Sequence, residues 1–126
     1  MSKIFVIDDS LSVICGYKVK LFKEMKHDFI TTTEPLKAID IALEQKPDII
    51  ISNFIMPDLN GWSLLREIRR TDSLKMTPLY LQTYSCEESR EKWFKDSARI
   101  GLIDGFHIGL LNQQIIQKWL DENHLT

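Results

Sequence analysis

The sequence of 126 residues predicts an α/β fold in which one parallel five-stranded sheet lies between two layers of helices. Short apolar runs rich in β-branched residues alternate with amphipathic segments, which is the pattern of consecutive βα units. The run Ile49-Ile50-Ile51 has no polar break, as is typical of a parallel strand buried on both faces. The length suits one domain, so we expect residues 1–126 to form a single domain.

The first half of the chain predicts three strands and two helices. Ser10 is a suitable N-cap for the first helix, and Pro35 fits the first turn of the second. Leu11 and Cys15 fall on the apolar side of the first helix, so we expect both in the core. Pro47 ends the second helix, because the residue before a proline avoids the helical conformation. In order, these elements are strand Lys3–Ile7, helix Ser10–Met25, strand Phe29–Thr33, helix Pro35–Lys46 and strand Ile49–Asn53.

The second half of the chain continues the alternation with three helices and two strands. Asn60-Gly61 indicates a turn before the third helix, and Pro78 introduces the fourth strand. The elements are helix Trp62–Arg70, strand Leu79–Thr83, helix Glu87–Arg99, strand Ile103–Ile108 and helix Leu111–Asn123.

Four polar side chains fall where predicted strands end. Asp8 and Asp9 follow the first strand, Asn53 ends the third and Thr83 ends the fourth. In open α/β sheets the working crevice lies outside the carboxyl ends of the strands, so we expect these side chains to meet. A carboxylate at position 53 would be able to accept a phosphoryl group as an acyl phosphate, whereas the amide of Asn53 cannot.

Three fragments, in this order and spacing, resemble the receiver domain of two-component response regulators. They are Ile4-Phe5-Val6-Ile7-Asp8-Asp9-Ser10, then Pro47-Asp48 leading through Asn53 to Met56-Pro57-Asp58 and Asn60-Gly61, then Thr77-Pro78 leading to Thr83. The resemblance covers essentially the whole chain. It implies a flavodoxin-like sheet of strand order 2-1-3-4-5 with five helices in three layers, which agrees with the pattern of βα units.

The resemblance also implies roles for the residues at the strand ends. Asp8, Asp9 and the backbone carbonyl of Ile55 stand at the positions that bind Mg²⁺ in the family. Asn53 stands at the position of the phosphorylated aspartate. Thr83 stands at the position that contacts the phosphoryl group.

Three positions depart from the family pattern. Asn53 replaces the nucleophilic aspartate. Phe106 aligns with the aromatic residue that changes rotamer on activation, which puts Gly109 at the position of the family's lysine; no lysine occurs at residues 96–117. Tyr84 stands where the family has a small residue, and we expect its ring to crowd the phosphate pocket.

The joint loss of the carboxylate and the lysine is electrostatically consistent. An intact site combines three carboxylates with one lysine, and removing both Asp and Lys leaves its net charge unchanged. Removing the lysine alone would leave three clustered carboxylates, each raising the pKa of the others. The sequence therefore favours natural degeneracy over a laboratory replacement of aspartate at position 53. With one anionic ligand fewer, we expect weak or vestigial Mg²⁺ binding and no other cofactor.

We therefore expect a pseudo-receiver, not an enzyme, that acts in two-component phosphorelay signalling as a phosphorylation-independent protein-interaction module. Its partner would be a kinase, output or scaffold protein docked on the face formed by the fourth helix, fifth strand and fifth helix, and a homodimer would use the same face. The alternative is a conventional phosphoacceptor receiver, with Asn53 an altered aspartate and Mg²⁺-dependent transfer from a histidine kinase. A flavodoxin-type cofactor protein is disfavoured because Asp8-Asp9 would repel phosphate.

Composition excludes two further classes of partner. The formal net charge of −2 provides no general basic field for direct contact with nucleic acid. No apolar segment approaches the ~20 residues of a membrane span, so we expect no membrane association and a cytoplasmic location.

Overall fold

The computed structural model describes residues 1–56, 61–84 and 88–125, without the side chains of residues 61, 88 and 89. The strands are β1 (Lys3–Ile7), β2 (Asp28–Thr32), β3 (Ile49–Asn53), β4 (Leu79–Thr83) and β5 (Gly105–Ile108). They are parallel and lie in the order β2-β1-β3-β4-β5. The predicted doubly wound sheet and its flavodoxin-like strand order are therefore confirmed.

The helices follow the predicted boundaries to within a few residues. They are α1 (Leu11–Gly16), continued by a π-helical segment (Tyr17–Phe22), α2 (Ala38–Gln45), preceded by a 3₁₀ turn (Pro35–Lys37), α3 (Gly61–Arg70), α4 (Glu88–Arg99) and α5 (Gln113–Glu122). The predicted first residue of the fourth helix, Glu87, lies outside the described residues. No helix in the described part of the chain is long and apolar enough to cross a membrane.

The first helix departs from its predicted packing. Ser10 caps it as expected, since its hydroxyl accepts the backbone N–H of Val13 at 3.4 Å. The prediction that Leu11 and Cys15 lie in the core is wrong, because both are exposed. The buried positions Ile14, Tyr17 and Leu21 follow one another at helical spacings of three and four residues, so Leu11 and Cys15 lie at the margin of the buried face.

The sheet separates two hydrophobic clusters, one under each layer of helices. Alternate residues of β1 point to opposite faces, so Phe5 and Ile7 join one cluster while Ile4 and Val6 join the other. Every residue of β3 is buried, as the apolar run predicts. This core holds the carboxyl ends of β1, β3 and β4 side by side and so positions the polar residues that follow them.

Candidate functional site at the carboxyl ends of the strands

The strand register brings the predicted site residues together. Ile7 pairs with Ser52, so Asp8 and Asn53 leave neighbouring strands at the same level. Asn53 pairs with Gln82, which puts Thr83 one residue further along β4. Asp8, Asn53 and Thr83 are 1%, 3% and 2% exposed, so the bottom of the site is closed to solvent.

Asp8 is a buried carboxylate whose two oxygens both accept hydrogen bonds. The backbone N–H of Ser10 donates to Oδ1 at 2.9 Å, and the hydroxyl of Tyr84 donates to Oδ2. Burial raises the pKa of Asp8 above its ordinary value, while the bonds from Tyr84 and Ser10 lower it and the charge of Asp9 raises it further. No lysine or arginine in the described ranges forms an ion pair with Asp8 or Asp9. Neutral donors therefore support this carboxylate.

Asn53 directs its amide nitrogen at the other two oxygen groups of the site. Nδ2 lies 3.4 Å from Oδ1 of Asp9 and 3.1 Å from the carbonyl oxygen of Ile55. The Ile55 side chain itself is exposed. Oδ1 of Asn53 is buried and has no hydrogen-bond partner among the described residues. The position of the family's nucleophile thus presents a donor to the acidic pair.

Tyr84, which follows β4, reaches across the site to Asp8. Burial and the contact with Asp8 both raise the pKa of its phenol well above the ordinary value, so the hydroxyl stays protonated and acts as a donor. Tyr17 lies nearby: its hydroxyl accepts the backbone N–H of Leu111 at 3.1 Å, and burial raises its pKa while the hydroxyl of Tyr84 lowers it. Tyr17 was not among the predicted site residues, although its spacing from Ile14 and Leu21 is that of one buried helix face.

Gly109 has a backbone conformation that suits glycine alone. Its φ is +119°, where side chains with a Cβ are strained. Its N–H donates to the carbonyl of Thr83 at 2.7 Å, and its own carbonyl accepts from Nε2 of Gln82 at 2.7 Å. These two hydrogen bonds join the backbone of Gly109, which aligns with the family's lysine in the predicted register, to β4.

The aromatic switch position lies away from the acidic pair. Phe106 is half-buried on β5, and its ring centroid is 5.3 Å from that of Phe94 in α4. Phe94 in turn packs on Phe54 and Trp93 at 5.0 and 5.4 Å. Phe106 therefore belongs to an aromatic cluster between the sheet and α4. The motif residues Pro57, Asp58 and Asn60 lie outside the described residues.

The predicted Mg²⁺ ligands do not fit a resident ion in this arrangement. Asp8, Asp9 and the Ile55 carbonyl each already accept a hydrogen bond from Tyr84 or Asn53. Mg²⁺ needs oxygen atoms arranged near-octahedrally at about 2.0–2.1 Å, not donors. In the described part of the chain, no group of three or more His, Cys, Asp or Glu residues is placed to hold a metal ion.

The predicted partner surface is accessible. None of the four residues of β5 is buried, as expected of a strand at the edge of the sheet. Along the chain, β5 lies between α4 and α5. Two exposed cations of α4 pair within their own helix, Lys95 with Glu91 at 3.5 Å and Arg99 with Asp96 at 3.1 Å, whereas the exposed Lys92 lies outside these pairs. The surface therefore has no net basic character from these pairs.

The comparisons with known proteins agree with this geometry. The pattern of the response regulator receiver domain matches residues 4–104. Protein PilH of Pseudomonas aeruginosa is 25% identical over 96 residues, which cover 75% of this chain and 78% of PilH. Transcriptional regulatory protein AfsQ1 of Streptomyces coelicolor is 28% identical over 83 residues, and the chain spans only 35% of its length. Chemotaxis protein CheY4 of Vibrio cholerae superposes with a TM-score of 0.77 over 97% of this chain and 98% of its own, at 21% identity, so it shares the fold.

Proposed function

The chain belongs to the response regulator receiver domain family of two-component signalling, and from that premise we propose that it acts through protein contact without accepting phosphate on residue 53. Receiver domains interact with protein partners such as kinases. The Asn53 amide supports the proposal that the chain acts without phosphate, because its nitrogen donates to Asp9 and to the Ile55 carbonyl. A residue in that orientation is a hydrogen-bond donor to the acidic pair and not a nucleophile.

Two chemical obstacles oppose phosphoryl transfer at this position. An acyl phosphate forms when an ionised carboxylate attacks phosphorus, and a neutral amide has no such oxygen. A phosphoryl group also adds about −1.5 to −2 charge at neutral pH, next to Asp8 and Asp9. In the family a lysine offsets that charge, whereas Gly109 has no side chain with which to do so.

The proposed activity is binding and not catalysis. A kinase, output or scaffold protein would contact the face of α4, β5 and α5, where β5 is accessible and two ion pairs lie within α4. A homodimer through this face and a cytoplasmic location are part of the same proposal.

Treatment with acetyl phosphate and Mg²⁺, followed by intact-mass measurement, tests the proposal. We expect no gain of the ~80 Da that a phosphoryl group adds. Asn53→Asp, treated in parallel, shows whether residue 53 alone prevents modification. A wild-type chain that gains this mass on residue 53 would contradict the proposal in favour of a conventional phosphoacceptor receiver, in which a carboxylate stands at that position.

Beryllofluoride with Mg²⁺ gives a second measurement that requires no covalent chemistry. Trp62 is 39% exposed and its ring centroid is 5.5 Å from that of Trp93, so this pair reports changes beside the site. We expect tryptophan fluorescence to stay unchanged in the wild-type chain. A saturable change would contradict the proposal, because it would mean that the site still accepts a phosphoryl analogue.

A further inference from the structure

We propose that two side chains of the protein fill the place that a divalent cation takes in this family, and that the Tyr84 hydroxyl keeps the cation out. The donors are this hydroxyl and the amide nitrogen of Asn53, and the acceptors are Asp8, Asp9 and the Ile55 carbonyl. The inference rests on the proposed function, since a receiver that works by contact alone needs no resident metal ion. We call this arrangement the closed acidic pair.

Each oxygen group that a cation would need already accepts a hydrogen bond. One oxygen of Asp8 accepts from Tyr84. The Asn53 amide nitrogen lies 3.4 Å from Asp9 Oδ1 and 3.1 Å from the Ile55 carbonyl oxygen. Because an amide –NH₂ has two hydrogens, one side chain serves both of these acceptors. A cation that bound through these same lone pairs would have to displace both Asn53 and Tyr84.

The orientation of the Asn53 amide distinguishes the closed acidic pair from a cation site. With its nitrogen facing Asp9 and Ile55, both acceptors have a donor. The opposite orientation would set the amide oxygen against two acceptors, which only a cation between them would make favourable. The observed orientation leaves Asn53 Oδ1 buried without a partner among the described residues. An unpaired buried acceptor costs free energy, and the two hydrogen bonds that Nδ2 donates offset this cost.

Tyr84 closes the site from the side of β4 and β5. Its side chain is 40% exposed, while its hydroxyl reaches Asp8, a residue only 1% exposed. A hydrogen bond from a phenol to an ionised carboxylate is charge-assisted and stronger than one between neutral groups. Gly109 lies beside the residue that precedes Tyr84, since its N–H donates to the carbonyl of Thr83 at 2.7 Å, and it brings no side chain to this end of β5. Mg²⁺ sheds its waters reluctantly and is a poor competitor for ligands that are already bonded.

Mg²⁺ titration of the wild-type chain and of Tyr84→Phe, followed by calorimetry and tryptophan fluorescence, tests the inference. Tyr84→Phe removes only the oxygen that donates to Asp8 and keeps the ring. We expect Mg²⁺ affinity to rise by about tenfold or more, the change expected when one competing charged hydrogen bond is lost. Asp8→Asn in the Tyr84→Phe background should abolish the gain.

Tyr80→Phe is a matched control. It also removes a hydroxyl that donates to a carboxylate, that of Glu122 at 3.0 Å, but this pair lies on the side of the sheet that packs against α5. Mg²⁺ affinity of Tyr80→Phe should equal that of the wild-type chain. Equal affinity of the wild-type chain and Tyr84→Phe would overturn the inference, and so would wild-type binding with a dissociation constant below about 1 mM.

A crystal structure of the wild-type chain grown in excess Mg²⁺ tests the closure without any substitution. Tyr84 bonded to Asp8 supports the inference, and a cation held by Asp8, Asp9 and Ile55 overturns it. This outcome is separable from that of the proposed function. If the chain binds Mg²⁺ tightly yet gains no mass from acetyl phosphate, the closed acidic pair is contradicted and the proposed function is not. A phosphoryl adduct on residue 53 contradicts the proposed function.

Discussion

The two halves of the strand-end site differ in how much of the family's chemistry they keep. The half built by β1 and β3 retains its oxygen groups in Asp8, Asp9 and the Ile55 carbonyl. The half built by β4 and β5 has Gly109 where the family resemblance predicts a lysine, and it contributes the hydroxyl of Tyr84. The first half presents these acceptors together with the amide donor of Asn53, while the second presents the hydroxyl donor of Tyr84.

This difference shows how an acidic pair with one buried member, Asp8, can persist without a lysine. A buried charge is costly unless charges or hydrogen bonds compensate it. Asp8 receives two hydrogen bonds and Asp9 receives one from Asn53, so hydrogen-bond donors take over part of what a cation would supply. The retained carboxylates are then part of the folded structure even when no metal ion binds them.

Asn53→Asp should have the largest effect on stability, because it changes a donor of the site into a further acceptor. The change removes the donor to Asp9 and Ile55 and adds a third carboxylate to the site, so we expect the free energy of unfolding to fall by about 3 kcal/mol. Urea denaturation at neutral pH with a chelator present measures it. Asn53→Ala is the control, because it removes the same hydrogen bonds without adding charge and should cost less. Equal stability of the two variants would mean that charge has no part in the arrangement.

Gly109→Lys restores the family's residue and should still destabilise the chain. The φ of +119° at this position is unfavourable for any residue with a Cβ, so we expect a loss of about 2 kcal/mol in unfolding free energy. Among the described residues, a Cβ at this position would meet only Nε2 of His107 at the ordinary contact distance of 3.5 Å, so the loss would come from the backbone.

Gly16→Ala is the matched control for that backbone effect. Its φ is −61°, and a Cβ there meets no atom of the described part of the chain within 4 Å. Alanine should therefore raise the unfolding free energy by about 0.5–1 kcal/mol, since glycine is a poor helix former. A Gly109→Lys chain as stable as the wild type in urea would show that the backbone after β5 adapts to lysine.

The fold was predictable because its signals are local and repeated. The unbroken run of Ile49–Ile51 and the prolines at 35, 47 and 78 mark strand and helix boundaries that the structure reproduces to within a few residues. The strand order came from the family resemblance, since periodicity alone does not define which strands are neighbours. Cys15 was misplaced because it adjoins the buried Ile14 but lies at the margin of the face that continues through Tyr17 and Leu21.

The site was predictable in its residue types but not in its contacts. The sequence identifies the missing nucleophile at position 53 and the missing lysine at 109, and it indicates that Tyr84 would crowd the site. It cannot show that the hydroxyl of Tyr84 bonds to Asp8, because that depends on the direction the chain takes after β4. The positive φ of Gly109 likewise depends on the three-dimensional course of the backbone after β5.

Asp8→Asn should raise the free energy of unfolding at neutral pH, and it tests the half of the site that β1 and β3 build. Burial raises the pKa of Asp8 in the folded state, so its stabilising contribution is complete below the unfolded pKa and is lost as pH rises through the folded pKa. At neutral pH the ionised carboxylate therefore costs stability, and asparagine removes that cost. We expect a gain of about 1 kcal/mol at pH 7 that shrinks as the buffer is made acidic enough to protonate Asp8 in both states. Thermal unfolding of both chains across pH measures it, and a gain that does not depend on pH would point to a cause other than ionisation.

Lys95→Ala should have the smallest effect, and it bears on the partner surface and not on the site. The ion pair with Glu91 joins two exposed side chains at 3.5 Å on α4, and such pairs contribute less than about 0.5 kcal/mol. We expect thermal stability to change little and to respond only slightly to salt. The charges of this face can then be altered to test partner binding without disturbing the closed acidic pair. A loss above about 1 kcal/mol would mean that Lys95 supports the fold through packing of its stem, which would disqualify this substitution as a binding probe.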